Sequence, residues 1–291
     1  MTYKKCYFCK KIKPANEFYR NRNSTDGYWS WCAECEKKFS KEEAERKKND
    51  QWKNIVSFSG GKDSTAMLIV MLEEKIPIHD IVWFDCGEFE FPQMRKHIAK
   101  VESKLGVKVS QVKMDLSFSH YMYKHPRGSE KGLGYGWPSP HLRWCTNFKI
   151  NEIKKYVRQY RPYNQAIGFA ADEMKRVKNG NSANEKRGAF FHNFYPLVEK
   201  GITEKKALEI CYSYGFDWDG LYNVFDRVSC WCCPMQGIDD LIKLKLNYPD
   251  MYRKLIYMNE KSRTQFKDDP AIWDKVDKRI EETSTILSLA V

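Results

Sequence analysis

The chain has 291 residues, ten cysteines and a formal net charge of +12, a length that supports one substantial core with appendages in two or three units. No stretch approaches the roughly 20 uninterrupted apolar residues that cross a bilayer, and the basic, aromatic N-terminus has no apolar signal core, so a soluble cytoplasmic protein with no membrane partner is expected. Cysteines in such a chain serve metals or chemistry more often than a disulfide framework, and the charge is uneven: residues 120–187 hold 14 Lys and Arg against 5 Asp and Glu, a concentration that can gather DNA or RNA, or bind a nucleotide and a small phosphorylated or sulfated compound.

Cys6-x-x-Cys9 and Cys32-x-x-Cys35 form two knuckles 22 residues apart. Four thiolates at this spacing can turn inward around one tetrahedral Zn2+, which supplies folding energy that a small segment lacks; a rubredoxin-like iron site is the metal variant. Residues 1–36 are therefore expected to form a four-cysteine zinc module. Its Lys13-Pro14, Glu17-Phe18-Tyr19 and Asp26-Gly27-Tyr28 resemble the zinc ribbons and treble clefs often joined to phage and mobile-element nucleases. Lys4, Lys5, Lys10, Lys11, Arg20 and Arg22, interleaved with Tyr7, Phe8, Tyr19, Trp29 and Trp31, suit phosphates and stacked bases, although such rings also serve as a miniature core. Residues 37–50 mix both charges and read as a helical linker.

Asn54–Phe58 is a short β-rich run, and Ala66, Met67, Ile69, Val70 and Leu72 recur at helical spacing. Between them lies Ser57-Phe58-Ser59-Gly60-Gly61-Lys62-Asp63-Ser64-Thr65. The paired glycines allow a tight turn close to a ligand. Free N–H groups at the helix start, with the Lys62 ammonium, make an anion cradle. The spacing is not that of a Walker A loop, which has four residues between its first glycine and Gly-Lys. It resembles the pyrophosphate-binding loop of the ATP pyrophosphatase (PP-loop, adenine nucleotide α-hydrolase-like) superfamily. That resemblance implies ATP bound by Ser57, Ser59, Gly60, Gly61, Lys62, Asp63, Ser64 and Thr65 and cleaved between its α- and β-phosphates.

Further strands are expected at Ile78–Phe84, Val107–Val112 and Asn164–Gly168, and helices at Phe91–Leu105 and Asn147–Tyr160. This alternation predicts an α/β, doubly wound, mainly parallel sheet over residues 51–195, with ligands at the carboxyl ends of its strands. Asp85-Cys86-Gly87 followed by Phe91-Pro92, then Arg143-Trp144-Cys145-Thr146 with Lys149, and Glu173 with Arg176, resemble successive segments of the phosphoadenosine phosphosulfate (PAPS) reductase family within that superfamily. Three departures stand out. Cys86 replaces the usual threonine, as either a sulfur-carrying thiol or a small buried one; Ala170 stands where an arginine is usual; Arg176 falls one position early. The resemblance implies a nucleotide role for Glu173 and Arg176 and a Mg2+ or nucleotide role for Asp85. Glu173 and Arg176 also fit an ordinary helix-surface pair. Residues 120–142, with His120, His125 and His141 among glycines and prolines, read as a long loop over the site.

Residues 196–291 are expected to be Cys-rich and then helical, with Cys211 in the core and a helix over Thr203–Tyr214. Cys230-Trp231-Cys232-Cys233-Pro234 places three sulfurs close enough to share one soft metal centre, with Cys145 from across the fold. The leading expectation is a 4Fe-4S cluster on Cys145, Cys230, Cys233 and Cys232. The rivals are structural zinc and a free, persulfide-forming Cys232.

Three functions follow. The first is an adenylating sulfurtransferase with Lys62, Asp63, Asp85 and Cys232 in the chemistry, Mg2+ at Asp85 or Asp63, a nucleic-acid acceptor and a sulfur donor such as a cysteine desulfurase. The second is a PAPS or adenosine phosphosulfate reductase, and the third a nucleic-acid-binding accessory protein without catalysis. The oligomeric state is not legible.

Overall fold

A computed structural model describes residues 2–22, 24–38, 52–127, 132–184, 191–228 and 230–289, with 180–184 and 284–289 described by backbone alone. The expected linker over 37–50 lies outside these residues except for Lys37 and Lys38.

At the N-terminus, β1 (Tyr3–Lys5) pairs antiparallel with β2 (Ile12–Pro14), and β3 (Phe18–Arg20) with β4 (Tyr28–Cys32); a helix, α1, covers residues 33–38. Cys6, Phe18 and Cys32 are its buried apolar cluster. Tyr7 leads from this unit to the rest of the chain: the Arg158 guanidinium donates to its hydroxyl and lies 4.7 Å over its ring.

The main body is a five-stranded sheet in the order β7-β6-β5-β8-β9, every neighbouring pair parallel. Its strands are β5 (Lys53–Phe58), β6 (Asp80–Phe84), β7 (Ser110–Val112), β8 (Tyr163–Ile167) and β9 (Phe191–Phe194). β5 is central; the chain winds outward from it to β6 and β7, then returns to its other side for β8. The strand order therefore reverses at the carboxyl end of β5, where ligands of open parallel sheets collect.

Helix α2 (Lys62–Glu73) has Ala66 to Met71 all buried, because the sheet lies on one side and α7 (Pro196–Glu199) and α8 (Glu204–Ser213) on the other. α3 (Pro92–Leu105) starts at a proline, buries Met94, His97, Ile98 and Val101 along one stripe, and stops at left-handed Gly106. The C-terminal α10 (Ile238–Asn247), α11 (Pro249–Lys261) and α12 (Ile272–Leu289) close the core through Leu241, Leu244, Leu255 and Val276. Among the described residues no helix is long and apolar enough to cross a membrane.

Three local expectations shift. Residues 120–142 are not all loop: α4 (Phe118–Tyr123) opens them, capped by Ser117, whose hydroxyl accepts the His120 N–H at 3.1 Å. α5 runs over Trp144–Val157, three residues ahead of its expected span, because buried Trp144 anchors the first turn by donating its indole N–H to the Gly136 carbonyl at 3.1 Å. β9 was not foreseen; with His192 and Asn193 at its centre it has neither an apolar run nor a clean alternation.

Candidate functional site

β5 ends at Phe58 and α2 begins at Lys62, so Ser59, Gly60 and Gly61 make the whole turn. Gly60 has φ of 76°, and a Cβ there would stand 2.9 Å from Ile98 Cδ1. The two serines brace the turn from inside. Ser59 N–H donates to Ser64 Oγ at 3.2 Å, the two hydroxyl oxygens are 3.0 Å apart, and Ser64 Oγ donates to the Gly61 carbonyl at 3.1 Å. The Gly60 carbonyl accepts Trp218 Nε1–H at 2.7 Å, and Thr65 meets His97 Nε2 at 3.0 Å, with the imidazole stacked on Trp218 at 4.3 Å. Burial, helped by Lys100, holds His97 down at about 3 and therefore neutral.

The Lys62 side chain is buried beneath this turn. Its Nζ lies 2.6 Å from Glu204 Oε2 and 3.3 Å from Asp63 Oδ2. Burial disfavours its charge, but Glu204 and Asp63 outweigh that and carry the ammonium above its ordinary value. Burial also pushes the Asp63 carboxyl up, against the pull of Lys62. The Lys62 N–H donates to Tyr222 Oη at 2.8 Å, and the Cys211 thiol donates to the Lys62 carbonyl at 3.3 Å, so the buried Cys211 supports the loop directly.

β8 reaches the same edge. A Cβ on Gly168 would stand 2.9 Å from Ser64 Cα, so only glycine lets the end of this strand lie on the first turn of α2. Beyond it, Glu173 accepts the Ala170 N–H at 3.2 Å and pairs with Arg176 at 2.5 Å, and the Arg176 guanidinium covers the Phe169 ring at 4.2 Å. Glu173 is close enough to raise the Asp63 carboxyl further. Ser57 sits in the sheet itself, where its hydroxyl accepts Gln165 Nε2–H at 2.6 Å.

Next along the edge, Asp85 is held by three donors: Arg95 at 2.7 and 2.9 Å, Gln111 Nε2 at 2.6 Å and the Gly87 N–H at 2.8 Å. It lines a cleft of about 380 Å³ together with Cys86, Gly87, Glu88, Arg95, Gln111 and Lys113. Behind Cys86 lies a buried polar knot. A hydrogen bond from Cys230 first, then the Lys149 charge, lower the Cys86 thiol to about 6 despite burial, and Lys149 Nζ approaches its sulfur at 3.4 Å. Burial and the Cys86 charge lift Glu90 to about 9, and Glu90 Oε2 is buried without a hydrogen-bond partner. Cys145 and Cys232 are raised by burial, and Cys230 by its hydrogen bond with Cys86 and then by burial.

Cys6, Cys9, Cys32 and Cys35 stand apart from that edge, with all four sulfurs within 4.8 Å of one another, and could hold one metal ion. Cys32 N–H donates to Cys6 Sγ at 3.3 Å. Burial raises the Cys6 thiol, but N–H groups of Cys32, Cys9 and Phe8 outweigh it and bring Cys6 to about 6, while burial and the neighbouring thiols lift Cys35 to about 12. Among the described residues no other three such side chains reach that mutual spacing, so Cys145, Cys230, Cys232 and Cys233 are not drawn together as if around a single ion.

The loop residues from Ser59 to Thr65 are thus gathered at one edge, with Glu173 and Arg176 beside them and Asp85 on the next strand. Sequence reasoning missed Glu204, Tyr222, Trp218 and His97. The one local signal was Thr203, a helix cap whose hydroxyl accepts the Lys206 N–H at 3.3 Å and which places Glu204 at the first position of α8.

A parallel sheet with this loop at its strand-order reversal defines a PP-loop nucleotide enzyme. More narrowly, the chain belongs to the phosphoadenosine phosphosulfate reductase domain family, which it matches over residues 53–236. It is also similar to two proteins of Methanocaldococcus jannaschii, both described as uncharacterized. MJ0066 is 28% identical over 218 residues, covering 69% of this chain and 40% of the relative. MJ0973 is 22% identical over 257 residues, covering 82% and 56%. The chain thus spans about half the length of the curated relatives it matches.

Proposed function

We propose that this protein cleaves ATP between its α- and β-phosphates to adenylate a nucleic-acid acceptor, which then receives sulfur. The observation that carries this reading is the intact Ser59-Gly60-Gly61-Lys62-Asp63-Ser64 turn at the end of the central strand, with a buried ammonium and helix-start amides converging on it. Lys62 and those amides stabilise charge on the departing pyrophosphate. Asp63, beside Lys62 and with Oδ1 buried and unpartnered, is the carboxylate best placed for Mg2+. Asp85 positions Arg95 at the cleft. The acceptor is read as nucleic acid from the basic excess of residues 120–187 and from exposed Tyr3, Phe8 and Tyr19 among the lysines of the N-terminal unit. Zn2+ on Cys6, Cys9, Cys32 and Cys35 holds that unit together. The soft donors suit a 4Fe-4S cluster, which supplies an iron site for sulfide when bound; Cys145, Cys230 and Cys233 are thiols that would hold it. A cysteine desulfurase is the class of protein that would deliver the sulfur.

The family match itself favours a second reading, reduction of PAPS or adenosine phosphosulfate, in which Cys232 or a neighbouring thiol attacks the sulfonucleotide sulfur. One assay separates the two. Pyrophosphate release from ATP and Mg2+ is measured with DNA or RNA present, for wild type and Lys62→Ala. Release that depends on Lys62 is expected; no release with any acceptor overturns the first reading, and thiol-dependent sulfite release from PAPS establishes the second.

A further inference from the structure

Cys86 stands where the resembled segment has threonine, and neither the sheet nor the pyrophosphate loop needs a thiol there. Its surroundings explain it. The Trp231 backbone N–H donates to the Phe89 carbonyl at 3.1 Å and its indole N–H to the Glu88 carbonyl at 2.9 Å, fastening the Cys230–Cys233 turn onto the turn that follows β6. That fastening sets the Cys230 and Cys86 thiols in hydrogen-bond contact. The Cys233 N–H donates to the Cys230 carbonyl at 3.1 Å, closing a tight turn between the first and last cysteines, the same Cys-x-x-Cys spacing by which Cys6 and Cys9 enter the N-terminal quartet. Cys145, in the first turn of α5, has Cys233 and Cys86 among its charged neighbours. Cys232 is buried, and its neighbours are Cys233, Cys145, Lys254 and Tyr123, with Cys86 absent from them. One helical turn beyond Cys145, Lys149 directs its ammonium to Cys86 at 3.4 Å. A centre bound by four thiolates carries net negative charge, and a buried cation beside it offsets the cost of enclosing that charge.

We propose that Cys86 is a ligand of the sulfur centre, completing a set with Cys145, Cys230 and Cys233, and that Cys232 is not a ligand. This rests on the iron–sulfur reading above and replaces one thiol in the set expected from sequence. The separation of these thiols beyond single-ion spacing agrees with a polynuclear cluster, whose ligands stand further apart than those around one ion.

The test uses the full chain purified without oxygen, with iron, labile sulfide and the electron paramagnetic resonance signal of the reduced protein measured for wild type, Cys86→Thr, Cys86→Ala and Cys232→Ser. Labile sulfide is the deciding readout, because a mononuclear quartet at the N-terminus contains none. Cys86→Thr restores the resembled side chain at nearly constant volume, and a thermal melt of each variant verifies folding. Both Cys86 variants are expected to lose most of their labile sulfide and the cluster signal, while Cys232→Ser keeps both. A folded Cys86→Thr or Cys86→Ala protein with wild-type sulfide, or loss in Cys232→Ser alone, overturns the assignment of Cys86 and leaves the cluster standing. Absence of labile sulfide from the wild-type protein overturns the iron–sulfur reading itself.

Discussion

The two groups of cysteines are built on different terms. Cys6, Cys9, Cys32 and Cys35 close on one another in a unit of three- to five-residue strands whose buried apolar side chains are Cys6, Phe18 and Cys32. Cys86, Cys145 and Cys230 instead lie at the rim of the main core, interleaved with Lys149 and Glu90 and held by Trp231. A closed set of like ligands in a unit with almost no core is an ion's folding template. Thiols mixed with a buried ammonium and a buried carboxyl, on a scaffold already packed by Trp144, Phe118 and Phe91, are available for chemistry.

That contrast breaks if the N-terminal unit survives without its ion. Chelation, or Cys6→Ser, is expected to unfold residues 2–36 while the sheet persists, since structural zinc sites of this kind contribute about 10–16 kcal/mol. Hydrogen exchange reads the result: lost protection in β1–β4 with unchanged protection in β5 and β6 sustains the distinction, and retained protection in β1–β4 ends it.

Lys62→Ala sharpens it from the other side. Removal of one preorganised charge-stabilising group costs about 100- to 1,000-fold in turnover, so pyrophosphate release falls by that factor while the metal content of both thiol groups is unchanged. An accompanying loss of metal would tie the loop and the thiols into one structural unit.

Gly168→Ala is smaller. The added Cβ meets backbone atoms of Ser64, which cannot rotate away, and overpacking of this kind costs about 1–3 kcal/mol. The melting temperature of the sheet domain is expected to drop by several degrees, with no effect on N-terminal metal affinity.

The smallest effect is a pH slope. His97 is held at about 3 when folded, below the histidine reference of 6.5, so between those values the unfolded chain binds a proton that the folded chain does not. The stabilisation is complete above pH 6.5 and is lost as pH falls through that window, by at most about 1.4 kcal/mol per pH unit. Denaturant titrations of wild type and His97→Gln at several pH values should show the wild-type slope reduced in the variant. Equal slopes would show that His97 does not set it.

The sequence displayed the parts of this molecule that are local. A β-rich run, two glycines and an apolar helix disclose β5, its turn and α2 within twenty residues, and Cys-x-x-Cys discloses the N-terminal quartet. Contacts made across the chain stayed hidden. Glu204 meets Lys62 across 142 positions, Tyr222 meets it across 160, and the Trp231 indole that brings Cys230 to Cys86 reaches back 143. No periodicity encodes such meetings, because they depend on where the sheet's edge places each turn. β9 escaped for a related reason: its pairing with β8 defines it, whereas Phe191-His192-Asn193-Phe194 taken alone favours no element.

The contacts of Lys62 also have a thermodynamic consequence. Glu204 and Tyr222 occupy the ammonium and the amide that an incoming polyphosphate would seek, so the cradle rests in a self-satisfied state. Any anion binds only by exchange, and its observed affinity is lower than its intrinsic one by the free energy of the contacts it displaces. Both displaced groups belong to the 204–222 stretch, which leads within a few residues to Cys230. Loading the loop therefore pulls on the tether of the sulfur centre, and the two ends of the reaction are mechanically geared to each other.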